Sequence, residues 1–192
     1  MGLVAQRTRD PDRREKILEA AAGLLADNGY HAVSMAEIGE RAGIVGSGIY
    51  RHFGSKAAIL VELFERVIDD LLEQGRAAVE GTTDLAAALD ELVRGQVGFV
   101  VHKRHLAQIY HNEISNLPRE DQVRLRRKQR LYLEEWVHVL AELEQTSEPV
   151  TRTRVNVAIG AIQAVLFHQV VLPDDELTAM LTKSAHAILT LA

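Results

Sequence analysis

Apolar side chains recur along this chain at the three-to-four-residue spacing of amphipathic helices, and no stretch alternates as a half-buried strand would. Ile17, Leu18, Ala21, Leu24 and Leu25 form the first stripe. Asp10 and Pro11 ahead of it suit a helix start, and Asn28 with Gly29 stops it. Ser34 with Glu37 three positions on reads as a capping box ahead of Met35, Ile38 and Ala42. Gly43 ends that helix in a left-handed conformation at no steric cost. Ile44 re-enters the core, and a second short helix turns Ile49 and Phe53 inward and leaves Ser47, Tyr50, Arg51 and His52 outward or sideways. Gly54 stops it and Ser55 caps the helix that follows. Tyr30 and Val33 close the small core.

From Ser55 a wide stripe of Ile59, Leu60, Leu63, Phe64, Val67, Ile68, Leu71 and Leu72 predicts a long connecting helix to about Val79. Asp84 caps the next helix, which runs to about His102. A shorter one reaches about Asn116, Pro118 breaks it, and another spans 119–144. The last two helices are expected at 151–171 and 174–191, parted by Pro173. The first of these carries Val155, Ile159, Ile162 and Leu166 on one face and Val157, Gly160, Ala161 and Ala164 on another. A helix apolar on two sides has to be covered on two sides, so this hairpin is the expected homodimer interface, a four-helix bundle about a two-fold axis.

Composition narrows the class. The 192 residues are 47% apolar, enough for a substantial core, and include no cysteine, which excludes disulfides, thiol catalysis and thiolate metal sites. No run approaches a membrane span and the polar N-terminus lacks a signal sequence, so a soluble cytoplasmic protein is expected, with no membrane partner. The net charge of −5 is unevenly placed. Up to Lys56 there are 8 Lys and Arg against 7 Asp and Glu; beyond it, 14 against 20. The acidity lies in the second part, and any nucleic-acid contact by the first depends on where its cations point. Residues 1–9, with Arg7 and Arg9, read as a solvated arm, and Arg13, Arg14 and Lys16 as cations open to DNA or solvent.

Helix, glycine-containing turn, helix over residues 34–53 is the helix-turn-helix pattern, which sets its second helix in a DNA major groove. The string AGIVGSGIYRHFGSKAAIL at 42–60 resembles the DNA-binding signature of TetR-family transcriptional regulators, above all in Tyr50-Arg51-His52-Phe53 followed by Ser55-Lys56. The resemblance implies an all-α protein of about nine helices. It has a three-helix DNA-binding head at 1–54 and a ligand-binding, dimerising body at 55–192, with 55–80 as the connecting helix. It implies a ligand-responsive regulator, most simply a repressor, that binds a near-palindromic double-stranded operator as a dimer and is released by a small effector. Two half-sites would then lie ~34–36 Å apart, or a multiple of that. Ser34, Tyr50, His52 and Lys56 match positions that contact phosphates in the family, and Ser47 and Arg51 face the groove. The chain departs from the family pattern at Val45, Gly46 and Gly48, where side chains that touch bases are usual. Val45 can meet a thymine methyl, and the glycines can let the backbone approach the DNA.

For the effector the candidates are an aromatic set, Phe99, Tyr110, Tyr132, Trp136 and Phe167, with Glu113 and Gln163 as polar anchors. The basic run of Arg124, Arg126, Arg127, Lys128 and Arg130 is a solvated helix start or the mouth of a pocket for an anionic end. Together they suggest a largely hydrophobic effector with an acidic end, such as an acyl-coenzyme A. His102, His105 and His111 with Glu113 lack metal-ligand spacing, and no cofactor is expected. A DNA-binding activator or an effector-independent regulator fits the same residues. A helical-bundle enzyme would need a cluster of carboxylates and histidines that the sequence does not offer.

Overall fold

In the computed structural model, described over residues 12–44 and 46–191, every regular element is helical. The expectations for Arg7, Arg9, Asp10, Pro11 and Val45 fall outside the described residues. Contacts divide the chain into two units, one ending at Leu63 and the other running from Phe64 to Ala192.

In the first unit, α1 (Asp12–Asn28) buries Ile17, Leu18, Ala21 and Leu25, and Leu24 stays half-exposed. α2 (Met35–Arg41) starts on the expected capping box: Ser34 Oγ accepts from Glu37 N, and the Glu37 carboxylate accepts from the Ser34 N–H at 2.7 Å. Gly43 has φ +69°, so the left-handed turn falls where expected. The second short helix departs from a regular α-helix. Gly46–Arg51 winds as a tighter 3-10 helix, which presents its side chains on a three-residue repeat. Ile49 and Phe53 are buried with Ile38, Ile44 and Val33. Ser55 Oγ caps α3 (Lys56–Glu80) by accepting from Ala58 N at 3.1 Å. The first turns of α3 belong to this unit through Ile59, Leu60 and Leu63, all buried.

In the second unit α3 continues, followed by α4 (Leu85–His102), α5 (Arg104–Glu113), α6 (Arg119–Glu144), α7 (Glu148–Gln163) and α8 (Asp174–Leu189). α4, α6, α7 and α8 close a ring in which each packs on the next. Its core is built from Leu92, Val93, Val97, Trp136, Leu140, Val155, Ala158, Ile162, Leu181 and Leu189. At 25 cal/mol per Å² a buried leucine or isoleucine is worth about 2 kcal/mol, so apolar burial dominates this unit. Gly75 brings α3 close to α4 and α6. A β-carbon there would stand 3.2 Å from Leu92 Cδ2 and 3.4 Å from Tyr132 Cε2.

The helix expected at 151–171 lies elsewhere. α7 starts at Glu148, because Ser147 stands at the N-cap and Pro149 is tolerated in a first turn, where its missing N–H has no partner to lose. It ends at Gln163, and Ala164–Phe167 tightens to a 3-10 turn before an extended His168. α5 takes up the carbonyls this frees: Arg104 donates to Val165 O and His168 O, and Gln108 to Leu166 O at 2.8 Å. The two apolar faces expected of this segment differ in exposure. Val155, Ala158, Ile159 and Ile162 are buried, and Val157 (52% exposed), Gly160 and Ala164 are open. Val150 and, on α8, Met180 are also exposed.

Candidate nucleic-acid interface and ligand cavity

The exposed edge of the helix-turn-helix is formed by Ser34, Gly46, Ser47, Tyr50 and Arg51, with Gly48 and His52 half-exposed. Tyr50 is 57% exposed, a large aromatic held out in solvent by the turn whose next apolar neighbour, Ile49, is fully buried. The two glycines have separate reasons. Gly46 has φ +61°, where a side chain would be strained. Gly48 has no room, because a β-carbon would stand 2.7 Å from Ile44 Cγ2. They shape the recognition turn, at the cost of side chains that could read bases.

Arg14, expected to be open to DNA or solvent, and Lys56, expected at a phosphate, both make contacts inside this unit. Arg14 donates to His52 O at 2.8 Å and pairs with Glu62, and its guanidinium lies 4.1 Å from the centre of the Phe53 ring. It therefore fastens the end of the recognition turn to α1 and α3. Lys56 donates to Tyr30 O and Val33 O and sits 4.2 Å over the Tyr30 ring. An ammonium has three N–H donors, so these two carbonyls leave one uncommitted. Sequence position alone does not reveal either clamp, since both depend on carbonyls 23–38 residues away.

In the second unit a cavity of about 50 Å³ is lined by Val67, Ile68 and Leu71 from α3, Gln96 and Phe99 from α4, and Tyr110, Gln129, Tyr132, Leu133, Ile159 and Gln163. Phe99, Tyr110, Tyr132 and Gln163 of the expected set come together here. Trp136, Glu113 and Phe167 do not line it. Trp136 is fully buried behind Tyr132, edge-on at 6.1 Å. Glu113 accepts from Asn116 Nδ2 at 2.6 Å. Phe167 is 54% exposed and packs edge-on against His111. Gln96 and Gln129 carry no sequence signal: a polar residue at an apolar helix position reads as an interruption until the cavity beside it is seen. The basic run divides. Arg124 pairs with Glu65 at 2.8 Å and Lys128 with Asp69 at 2.8 Å, so these two tie α6 to α3.

No charged side chain lines this cavity. Burial pushes the Tyr110 phenol up to about 12, against a smaller opposing pull from Arg126, and burial raises Tyr132 as well. Both phenols stay neutral donors around pH 7. Tyr110 Oη donates to Gln129 Oε1 at 3.3 Å. Gln96 is 2% exposed and lines the cavity. The cavity therefore offers neutral donors and acceptors in an apolar shell, suited to a carbonyl or hydroxyl and costly for an ion. Among the described residues no three His, Asp or Glu side chains gather as a metal site, and no helix is long and apolar enough to cross a membrane.

Residues 17–63 match the family model for bacterial regulatory proteins of the tetR family. The chain is 36% identical over 91 residues to the transcriptional activator FasR of Mycolicibacterium smegmatis, covering 47% of this chain and 42% of that one. It is 31% identical over 131 residues to the transcriptional repressor KstR2 of Mycobacterium tuberculosis, covering 67% and 64%. The chain thus spans between about two-fifths and two-thirds of the length of these curated relatives. Among solved structures, the regulator FadR of Bacillus subtilis in complex with stearoyl-CoA superposes with a TM-score of 0.73 over 92% of this chain and 97% of that one. The identity there is 19%, so this likeness speaks for the fold.

Proposed function

The chain belongs to the tetR family of bacterial regulatory proteins, and on that premise we propose that it is a ligand-responsive repressor, cytoplasmic and not an enzyme. It binds a near-palindromic operator as a homodimer through the open faces of α7 and α8, and a largely hydrophobic effector releases it. One observation carries this reading. α3 is a single unbroken helix whose first turns are part of the head's core and whose Val67, Ile68 and Leu71 wall the cavity. A space of about 50 Å³ holds only a few water-sized molecules. An effector of any size must part α3 from α4 and α6 to enter, and Gly75 against Leu92 and Tyr132 is the close contact about which α3 would tilt. Moving α3 moves the helix that anchors the recognition turn.

On the DNA, Arg51 and Ser47 face the groove, the backbone at Gly46 and Gly48 comes close to it, and Val45 meets a base methyl. Ser34, Tyr50, His52 and the remaining N–H of Lys56 hold phosphates, which position the head. The test is selection of operator sequences from a random pool by the intact chain, followed by titration with and without a long-chain acyl-coenzyme A. A palindromic consensus is expected, and Arg51→Ala is expected to weaken binding about tenfold and flatten preference at one position of each half-site. Ligand and operator must weaken each other by the same factor. An Arg51→Ala variant with its full sequence preference sinks the base-reading assignment. FasR, an activator by name, favours activation as a second reading, which a promoter-reporter assay separates from repression.

A further inference from the structure

Beside the inner cavity lies a second, open groove of about 320 Å³ between α3 and α4. Val67, Leu71 and Phe99 line both spaces, so one thin wall of three side chains divides them. The two linings differ in kind. The inner one is uncharged; the outer one holds Asp70, Glu91, Arg94, His102 and Lys103.

The groove exists because of two glycines one helical turn apart on α4. A β-carbon at Gly95 would meet nothing nearer than Gln74 Oε1 at 3.7 Å, and at Gly98 nothing nearer than His102 Cδ2 at 4.0 Å. Side chains would fit at either place without displacing backbone, yet neither carries one. Glycine in the middle of a helix weakens it relative to alanine, so both positions give up stability and leave open space. Charge along the rim is graded. Arg94 is paired with Glu91, and Asp70 stands on the α3 side. His102 lies 4.0 Å from Asp174, and Lys103 has no carboxylate partner among the described residues.

Resting on the effector reading above, we propose that this groove is the entry vestibule and head-group seat of the effector site. The effector has an anionic head, a phosphate or a carboxylate, which stays in the groove against Lys103, His102 and Arg94. Its uncharged, largely apolar end passes the Val67–Leu71–Phe99 wall into the inner cavity beside Gln96. The separation of charge explains why one molecule would need both spaces. The inner cavity penalises an ion and the groove cannot bury an apolar chain. Phe99, half-buried and on both sides of the wall, is the side chain that has to swing.

The test uses the intact chain and the fluorescence of Trp136, its one tryptophan, which lies behind the cavity-lining Tyr132. Octanoyl-coenzyme A, octanoate and the neutral methyl octanoate are mixed with it in a stopped-flow instrument. Both anionic probes are expected to bind at least about tenfold tighter than the ester. A preference for octanoyl-coenzyme A over octanoate assigns the head as phosphate, and the reverse preference assigns a carboxylate. Gly98→Leu fills the groove with a good helix former and should slow association of all three probes. Its helix content and melting temperature verify that it is folded. Arg94→Ala with Lys103→Ala should erase the preference for anions and leave the ester unchanged. Unchanged association in Gly98→Leu, or an ester bound as tightly as the anions, overturns the vestibule alone. If none of the three probes binds the natural chain at all, the effector reading for this ligand class falls, and the vestibule with it.

Discussion

The recognition turn and the inner cavity are opposite solutions to the problem of meeting a ligand. The turn is fastened from several sides. Ile49 and Phe53 are buried, Arg14 holds the His52 carbonyl, Lys56 holds those of Tyr30 and Val33, and Gly48 is glycine because Ile44 occupies the space. In the cavity the working feature is what is left unfilled: an uncharged space bordered by Gln96 and neutral phenols, and beside it a groove kept empty by Gly95 and Gly98. A surface that reads a rigid polymer gains from rigidity, whereas a site that must admit a molecule retains some packing and hydrogen bonding unmade. Substitutions should therefore act with opposite sign in the two regions.

The largest effect is expected where the head's small core is emptied. Ile49 is fully buried, and Ile49→Ala should cost about 3 kcal/mol in urea denaturation and abolish operator binding at 37 °C. Ile162→Ala in the body, equally buried, should cost about as much but leave operator affinity nearly intact at 20 °C. If the two variants lose operator binding in parallel, the head is not the more fragile reader that the comparison makes it. Next come the glycines. Gly48→Ala forces the new methyl against Ile44 and should cost about 2 kcal/mol, and Gly46→Ala, strained only by its positive φ, about 1 kcal/mol. Operator affinity measured on the folded fraction should fall more for Gly48→Ala. The reverse order would mean that space at Ile44 does not decide this turn.

The opposite sign belongs to the cavity. Gln96→Leu replaces a buried polar side chain at the cavity by an apolar group of similar size, and should raise stability by about 1 kcal/mol while weakening the effector. A loss of stability would show that the amide is satisfied by a bound water and is structural.

These differences explain what could be read from the residues alone. Caps, stops and stripes are local, so the capping box of α2, the left-handed Gly43 and the buried face of α3 follow from sequence order. The 3-10 winding of Gly46–Arg51 does not, because it is set by the fit of Gly48 against Ile44. α7 was misplaced by three residues at its start because Pro149 looks like a break when it is a first-turn residue. Four of seven expected cavity residues line the cavity, since an aromatic stripe marks the helix face but not which rings border empty space. Trp136 is core for that reason, and nothing in the helical pattern marks Gln96 as a cavity residue.

The smallest effect tests the rigid side of the comparison by pH. The Ser34 side chain, and then its backbone N–H, hold the Glu37 carboxyl below its ordinary value of 4.5, with burial opposing weakly. A carboxyl whose pKa is lowered by folding contributes stability that is complete above its unfolded value and is lost as pH falls through the folded value. The capping box should therefore support α2 fully at pH 7 and weaken progressively as the pH falls below the ordinary carboxyl value of 4.5. Other carboxylates titrate in the same window, so the measurement is a difference: the melting temperature of the natural chain minus that of Glu37→Gln, followed from pH 7 to pH 3. That difference should be flat down to about pH 4.5 and shrink below it. A difference that stays constant to pH 3 would mean that the glutamate's charge adds nothing to the cap. The start of α2 would then be held by the Ser34 oxygen alone, a clamp as neutral as the cavity.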